Sequence, residues 1–134
     1  MAWGNFLLDI GMDVTPGNAI TKFQAVKYDS ALATEHVLPI AAITDVIAGF
    51  AQFNVTLNDL NRGKGASVRV HGVTEAVAFG AIPLGSLVTL EANGQVSAAV
   101  AASGKRLVGK CVGSPAVNAG DRIALLINPY GGVA

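Results

Sequence analysis

Apolar and polar side chains alternate in short runs along most of the chain, and helical spacing of apolar residues is scarce. In "SVRVHGV" (67–73), Val68 and Val70 fall on one side of an extended chain, opposite Arg69, which predicts a half-buried strand. Pro-, Gly- and Asn-rich turn signals separate such runs at intervals of about 8–12 residues, a spacing typical of sandwiches and barrels. The pattern therefore predicts an all-β fold.

One hairpin and one candidate helix stand out. "SLVTLEANGQVSAAV" (86–100) contains two strand-like runs joined at Asn93-Gly94, the strongest short signal for a hairpin. "LPIAAITDVIAGF" (38–50) has a spacing that also suits a short helix, but Gly49 and the β-branched residues weaken that interpretation.

The chain contains an approximate internal repeat. "DVIAGFA" (45–51) aligns with "KRLVGKC" (105–111), which places Gly49 over Gly109. Further matched pairs are Ile20 with Ile82, Val26 with Val88, Tyr28 with Leu90, Val37 with Val96, Gly65 with Gly120, Val68 with Ile123 and Val70 with Leu125. The shared order of strands and turns favours a duplication. The alternative is chance matching in a chain rich in Ala, Val and Gly.

A chain of 134 residues has room for one conventional core. We expect residues 19–134 to form a single β domain with pseudo-repeated halves at about 19–76 and 79–128. Each half would bury its apolar face against the other in a sandwich or barrel.

Residues 1–18 lie outside the repeat and hold the only tryptophan of the chain. They form either an edge strand, with Trp3 and Phe6 packed on their own barrel, or an extended N-terminal arm. An arm would reach a neighbouring subunit by strand addition or by placing aromatic side chains in a pocket.

Charged residues make up 13% of the chain, about half of the ordinary share, and the net charge is zero. Such a surface suits either a small Ala-rich β protein with a Ser/Thr/Asn exterior or a protein covered by a partner or sister subunits. The absence of a basic stripe disfavours nucleic acid as a partner. No apolar run approaches a membrane span, and the start of the chain lacks signal-peptide features, so we expect synthesis in a cytoplasm.

The chemistry-bearing residues are few. Cys111 is the only cysteine, and neither histidine stands at metal-ligand spacing. A triad of Cys111, His71 and Asp121 is conceivable, but no nucleophile elbow or oxyanion loop accompanies it. "RGKG" (62–65) lacks the strand–loop–helix setting of a phosphate cradle. The sequence therefore predicts no catalytic residues, no metal and no cofactor.

Residues 79–127 resemble the small decoration, or cement, proteins of tailed-phage capsids. The shared pattern is A-I-x-x-G-x-L-V, then x-G-x-V, then V-x-G, then A-G-D followed by alternating apolar residues. The matching residues are Ala81, Ile82, Gly85, Leu87, Val88, Gly94, Val96, Val108, Gly109, Ala119, Gly120, Asp121, Ile123 and Leu125. Pro83 and Lys110 depart from the pattern, and residues 1–18 carry no motif of it.

The resemblance implies a tulip- or barrel-like fold without enzymatic activity. It also implies a homo-oligomer, a trimer in the typical case, that binds the major capsid protein on the outer surface of the phage head. An extended N-terminal segment would contribute the grip, which makes Trp3, Phe6, Leu7 and Leu8 candidate contacts. Phe50 and Phe53 are further candidates, because the second copy has Lys110 and Gly113 at these positions.

The resulting hypothesis is a virion protein that stabilises the mature capsid against the pressure of the packaged DNA. A second hypothesis is a phage head or tail surface protein that binds a host glycan or cell surface, which would need exposed aromatic or polar side chains along a groove. The third hypothesis is a small hydrolase built around Cys111 or the histidines, His36 and His71. The fourth is a structural tail or head-completion protein.

Overall fold

The computed structural model describes residues 7–32, 34–128 and 130–134, which are almost entirely β-structure. The all-β prediction is confirmed. In the described part the elements are β1 (Leu8–Val14), β2 (Ala25–Tyr28), β3 (His36–Pro39), β4 (Ile47–Ala51), α1 (Leu57–Asn61), β5 (Ala66–His71), β6 (Val73–Val77), β7 (Leu87–Leu90), β8 (Val96–Ala98), β9 (Leu107–Gly113) and β10 (Arg122–Ile127).

The first five strands close into a barrel in the order β1-β3-β2-β4-β5. The closing pair is parallel and joins β1 to β3 at Asp13/His36 and Val14/Val37, while β1 runs antiparallel to β5 on its other side. Within residues 1–18, the stretch Leu8–Val14 is therefore a barrel strand that is paired on both sides. Apolar side chains fill the barrel, namely Met12, Val14, Ile20, Val26, Val37, Ala48, Ala51, Val55, Ala66 and Val68.

The second five strands form a sheet in the order β6-β10-β9-β7-β8. Taken in chain order, β6 to β10 correspond to β1 to β5 of the barrel: β7 pairs with β8 and β9, just as β2 pairs with β3 and β4. A single parallel bridge between Ala78 and Val96 stands where Val14 pairs with Val37 in the barrel. The two edge strands of the second sheet, β6 and β8, therefore approach each other at this point, as the closing pair β1 and β3 does in the barrel.

The strand pairing corrects one part of the sequence alignment. Ala51 pairs with Val68, and Cys111 pairs with Leu125, so Val68 corresponds to Leu125 and not to Ile123. A shift of two residues leaves every side chain on the same face of a strand, so the apolar pattern alone does not distinguish the two registers.

The glycine shared by β4 and β9 is required by close strand packing. A Cβ atom on Gly49 would lie 2.2 Å from the carbonyl oxygen of Arg69, and one on Gly109 would lie 2.1 Å from that of Leu126. Any side chain at either position would push the neighbouring strand away, which explains why both halves have glycine here.

The local predictions have different outcomes. The hairpin at Asn93-Gly94 is present, with β7 and β8 paired from Val88/Ala98 to Leu90/Val96. Residues 38–50 contain no helix, because they end β3, pass through a turn and enter β4. The helix found in the described chain is α1, which begins with a capping box between Thr56 and Asp59. Among the described residues, no helix is long and apolar enough to cross a membrane.

Candidate interaction surface

The predicted contact residues divide into three groups. Leu7, Leu8 and Phe53 are exposed, and Phe53 retains 62% of its accessible surface. Trp3 and Phe6 lie outside the described residues. Phe50 forms the third group.

Phe50 is fully buried, with 0% exposure, so the prediction of a contact through its side chain is wrong for the folded chain. A β-bulge between β2 and β4 lets Ala48 and Ala51 face the barrel interior while Ile47 and Phe50 face outwards. The outward face packs on the second sheet, where Phe50 and Ile47 join the core cluster of that half. Phe50 is therefore a core residue that holds the two halves together.

One end of the barrel is lined by exposed apolar residues. Side chains alternate along a strand, so Ile10 continues the interior-facing row of Met12 and Val14, and Tyr28 continues that of Val26. These side chains border a groove of about 500 Å³, which we call the open end. The lining residues of the open end are Leu8, Ile10, Tyr28, Val46, Ile47, Ala48, Val70, His71 and Tyr130.

The equivalent end of the second sheet is covered. By strand register, Ile10 corresponds to Thr74 and Tyr28 to Leu90. Ile10 and Tyr28 are 38% and 50% exposed, whereas Thr74 and Leu90 are 2% and 0% exposed. The two halves thus have the same arrangement of strands but opposite exposure at this end.

Residues of the first half provide that cover. The side-chain amide of Gln52 donates a hydrogen bond to the hydroxyl of Thr74 at 2.9 Å. The backbone amide of Ala25 donates to Gly94 O at 2.9 Å, and that of Arg106 donates to Ile43 O at 2.8 Å. Ala25, Ile40, Ile47 and Phe50 join Leu90 and the other core residues of the second half in one cluster.

A second apolar groove of about 570 Å³ lies on the other half of the molecule. Leu87 and Val100 border it and are both exposed. The remaining lining residues are Ser86, Ala99, Ala101, Ala102, Leu107 and Ala134. Because small and aliphatic side chains dominate its walls, this groove offers apolar contact and few hydrogen bonds to a ligand.

Ion pairs fix the strands around the open end. Arg69 donates two hydrogen bonds to the Asp9 carboxylate, at 2.7 and 3.0 Å, and a third to Val73 O at 3.1 Å. The hydrogen bond from Arg69 holds the pKa of Asp9 below its usual value. Arg69 thereby links β5 both to β1 and to the first strand of the second sheet.

Asp45 organises the loop before β4. Its carboxylate accepts the backbone amides of Ala41 and Ala42, both at 2.9 Å, and lies 3.2 Å from Lys27 Nζ. Partial burial acts to raise the pKa of Asp45, but these three donors outweigh it, and the pKa lies below its ordinary value. The position of Val46 at the rim of the open end therefore depends on this carboxylate.

The structure does not bring Cys111, His71 and Asp121 together as reactive groups. Cys111 is completely buried, and its Sγ donates to Gly113 O at 3.4 Å. The Asp121 carboxylate accepts the backbone amides of Val117 and Asn118, both at 3.0 Å, which lower its pKa and secure a turn. His71 lies at the open end, which Cys111 does not line. Among the described residues, no three His, Cys, Asp or Glu side chains are grouped as metal ligands.

The fold defines a class: an all-β protein made of a closed five-stranded barrel and a second five-stranded sheet. No protein-family model matches the chain, and no curated protein matches it in sequence. The fold is similar to the solved structure of the N base of head fiber gp8.5 from bacteriophage phi29. The TM-score is 0.64 with 16% identity, over 92% of this chain and 96% of that one.

Proposed function

We propose that this protein is a structural protein of a tailed-phage virion that binds the outer surface of the mature capsid and stabilises the shell. The observation that carries the proposal is the fold similarity to a phage head fiber base, which extends over nearly the whole of both chains. The resemblance of residues 79–127 to decoration proteins supports the same assignment independently. We further propose that the protein acts without catalysis, with the major capsid protein as its partner.

The surface of the described chain suits such a role. Two apolar grooves and several separate exposed apolar side chains offer area that a partner could bury, while charged residues make up only 13% of the sequence. Leu7, Leu8 and Phe53 remain candidate contacts because their side chains are exposed. A homotrimer would present three copies of each, and simultaneous attachment at several points raises the overall affinity without new chemistry.

Stabilisation of the shell follows from linkage. A protein that binds the expanded lattice and not the immature one stabilises the expanded form by RT ln(1 + [L]/Kd) per site. This amounts to about 2.7 kcal/mol at a free concentration one hundred times Kd. Many such sites act together on one shell, so that modest individual affinities are sufficient.

The test uses purified protein with heads of the phage that encodes it. Expanded and unexpanded heads are mixed separately with the protein, and the bound fraction is measured after sedimentation. We expect saturable binding to expanded heads and little to unexpanded ones. Equal binding to both, or binding to neither, would refute the proposal.

Phe53→Ala provides a matched probe of the contact surface. Truncating an exposed aromatic residue that anchors an interface costs about 2 kcal/mol or more, which is a weakening of about thirtyfold. Val117→Ala is the control, because Val117 is 75% exposed and lies in the turn before β10. Equal head binding by both variants would remove Phe53 from the contact surface without deciding whether the protein binds heads.

One observation favours a second candidate function, the binding of a host glycan. Both tyrosines of the chain, Tyr28 and Tyr130, are exposed at the open end, and aromatic faces are common platforms for sugars. A glycan-binding screen with the wild-type protein and Tyr130→Ala tests it. Binding that the substitution abolishes would support this candidate, and absence of binding to any glycan in the screen would count against it.

A further inference from the structure

Phe23 has a backbone conformation for which its counterpart in the second half has glycine. The φ angle of Phe23 is 63°, in the left-handed region, where a bulky side chain is strained. Its amide donates a hydrogen bond to Ala51 O at 2.7 Å. The amide of Gly85, whose φ is 85°, donates to Cys111 O at 2.8 Å, which is the equivalent carbonyl. A Cβ atom on Gly85 would have no neighbour within 4 Å, so the backbone conformation and not crowding favours glycine here. The first half therefore keeps an aromatic ring at a conformational cost.

Two cations lie against this ring. The guanidinium carbon of Arg122, at the start of β10, is 4.9 Å from the ring centroid, and Lys22 Nζ is 5.6 Å from it. Both distances are within the range of cation–π contact. The ring is only partly exposed, so it shields one side of each cation from water. We call Lys22, Phe23 and Arg122 the cation–ring site.

Neither cation of the site has a close anionic partner within the described chain. Arg122 pairs there only with Glu75, whose Oε2 is 4.0 Å away, and both side chains are about half exposed. An ion pair that is so long and so exposed contributes little. For Lys22, the described residues provide no carboxylate oxygen within 4.0 Å of Nζ. Arg69 differs, because it donates two hydrogen bonds to the Asp9 carboxylate. The donors of the cation–ring site are therefore available to a ligand.

We propose that the cation–ring site binds a carboxylate side chain on an acidic surface of another protein. Guanidinium donors match the planar geometry of a carboxylate, and the ammonium group supplies a second charge-assisted hydrogen bond. Phe23 is a positioning residue: its ring holds the guanidinium in place, so less freedom is lost when the contact forms. A phosphate-rich partner fits less well, because Glu75 stands beside only two cations and the chain has no net charge. Under the proposed function the acidic surface belongs to the major capsid protein, but the site is defined by its own chemistry.

Two substitutions of Phe23 separate the function of the ring from the strain of the backbone. Phe23→Ala and Phe23→Gly both remove the ring and should weaken carboxylate binding equally. Only glycine relieves the left-handed conformation, so Phe23→Gly should unfold at a higher urea concentration than Phe23→Ala. Equal stability of the two variants would refute the strain, and unchanged binding by Phe23→Gly would refute the role of the ring.

The binding experiment titrates the isolated, isotope-labelled protein with a blocked hexaglutamate peptide and follows the NMR signals of the Phe23 ring. We expect saturable shifts at low ionic strength that high salt abolishes. Blocked hexaglutamine is the neutral control and should cause no shifts. Arg122→Gln and Lys22→Gln should each weaken hexaglutamate binding about three- to tenfold. Arg62→Gln and Lys110→Gln, at exposed cations that do not contact the ring, are the matched controls and should leave binding unchanged.

Three results of the titration would overturn the proposal. They are the absence of shifts with hexaglutamate, equal weakening by the control substitutions, and tighter binding of inorganic phosphate than of hexaglutamate at the same signals. The last result would assign the site to phosphate and not to a protein carboxylate. Because no heads are present, failure of this titration leaves the proposed function standing, and failure of head binding leaves the cation–ring site standing.

Discussion

Phe50 is the side chain whose removal should most directly separate the two halves of the molecule. It lies on β4 of the barrel and packs in the core cluster of the second half, with no exposed surface. Replacing it with alanine removes a buried ring and leaves a cavity. Its neighbours Ala25 and Arg69 lie on strands that are hydrogen-bonded to β4 on both sides, so the cavity has little scope to collapse.

Phe→Ala substitutions in cores cost about 3–5 kcal/mol, and the restricted relaxation places Phe50→Ala near the middle of that range or above it, at about 4 kcal/mol. Most domains of this size have a stability of only about 5–15 kcal/mol, so the loss is a large fraction of the total. With a urea m-value of about 1.5 kcal/mol per M, the unfolding midpoint should fall by about 2.7 M.

Phe53→Ala is the matched control, because it is the same substitution three residues along the chain at a side chain that is 62% exposed. Its effect on the isolated protein should stay within about 0.5 kcal/mol. Urea unfolding followed by circular dichroism measures both variants. The structural role of Phe50 is refuted if Phe50→Ala costs less than about 1 kcal/mol or if the two variants lose equal stability. An unchanged m-value is also expected, because a shared core makes the halves unfold together.

Three further predictions concern stability and reactivity. Gly109→Ala should destabilise the protein by at least about 1–3 kcal/mol in urea unfolding, because its Cβ atom would overlap the carbonyl oxygen of a neighbouring strand. Gly11→Ala is the control and should be neutral or slightly stabilising, because a Cβ atom at Gly11 would have no atom within 4 Å. Equal losses of stability in the two variants would contradict this explanation. The pKa of Asp45 is lower in the folded state than its ordinary value of 3.8, so the stability it contributes is present above that pH and is lost as the pH falls through the folded-state pKa. The gap in stability between wild type and Asp45→Asn should therefore close under acid conditions, and a gap that stays constant down to the folded-state pKa would exclude this role. Cys111 should resist alkylation in the native protein and react after denaturation, and rapid native labelling would show that its burial is wrong.

Much of the fold follows from local patterns in the sequence. The Asn93-Gly94 hairpin and the alternation around Val68 are short-range signals, and the structure contains the strands that they predict. The shared glycine of β4 and β9 has a long-range cause, since the close approach of β5 or β10 is visible only in three dimensions. Sequence spacing therefore located Gly49 and Gly109 without explaining them.

The candidate surface was less accessible to sequence reasoning. Phe50 and Phe53 are both aromatic residues that stand opposite different residues in the second copy, yet one is core and the other is exposed. A β-bulge opposite Val26 interrupts the alternation of side chains along β4, so that Phe50 points towards the second sheet and not into the barrel. Bulges have no reliable sequence signal. The open end was missed because Ile10 and Tyr28 look like ordinary core positions by alternation, and only the packing of the two halves leaves them uncovered.

Binding of this protein to the outside of a mature phage head is tested by a reconstruction of purified expanded heads with and without the protein. We expect difference density on the outer surface, repeated at symmetry-related junctions of the major capsid protein and large enough for copies of a 13.6 kDa chain. Density inside the shell, density confined to the tail, or no difference between the two reconstructions would contradict it.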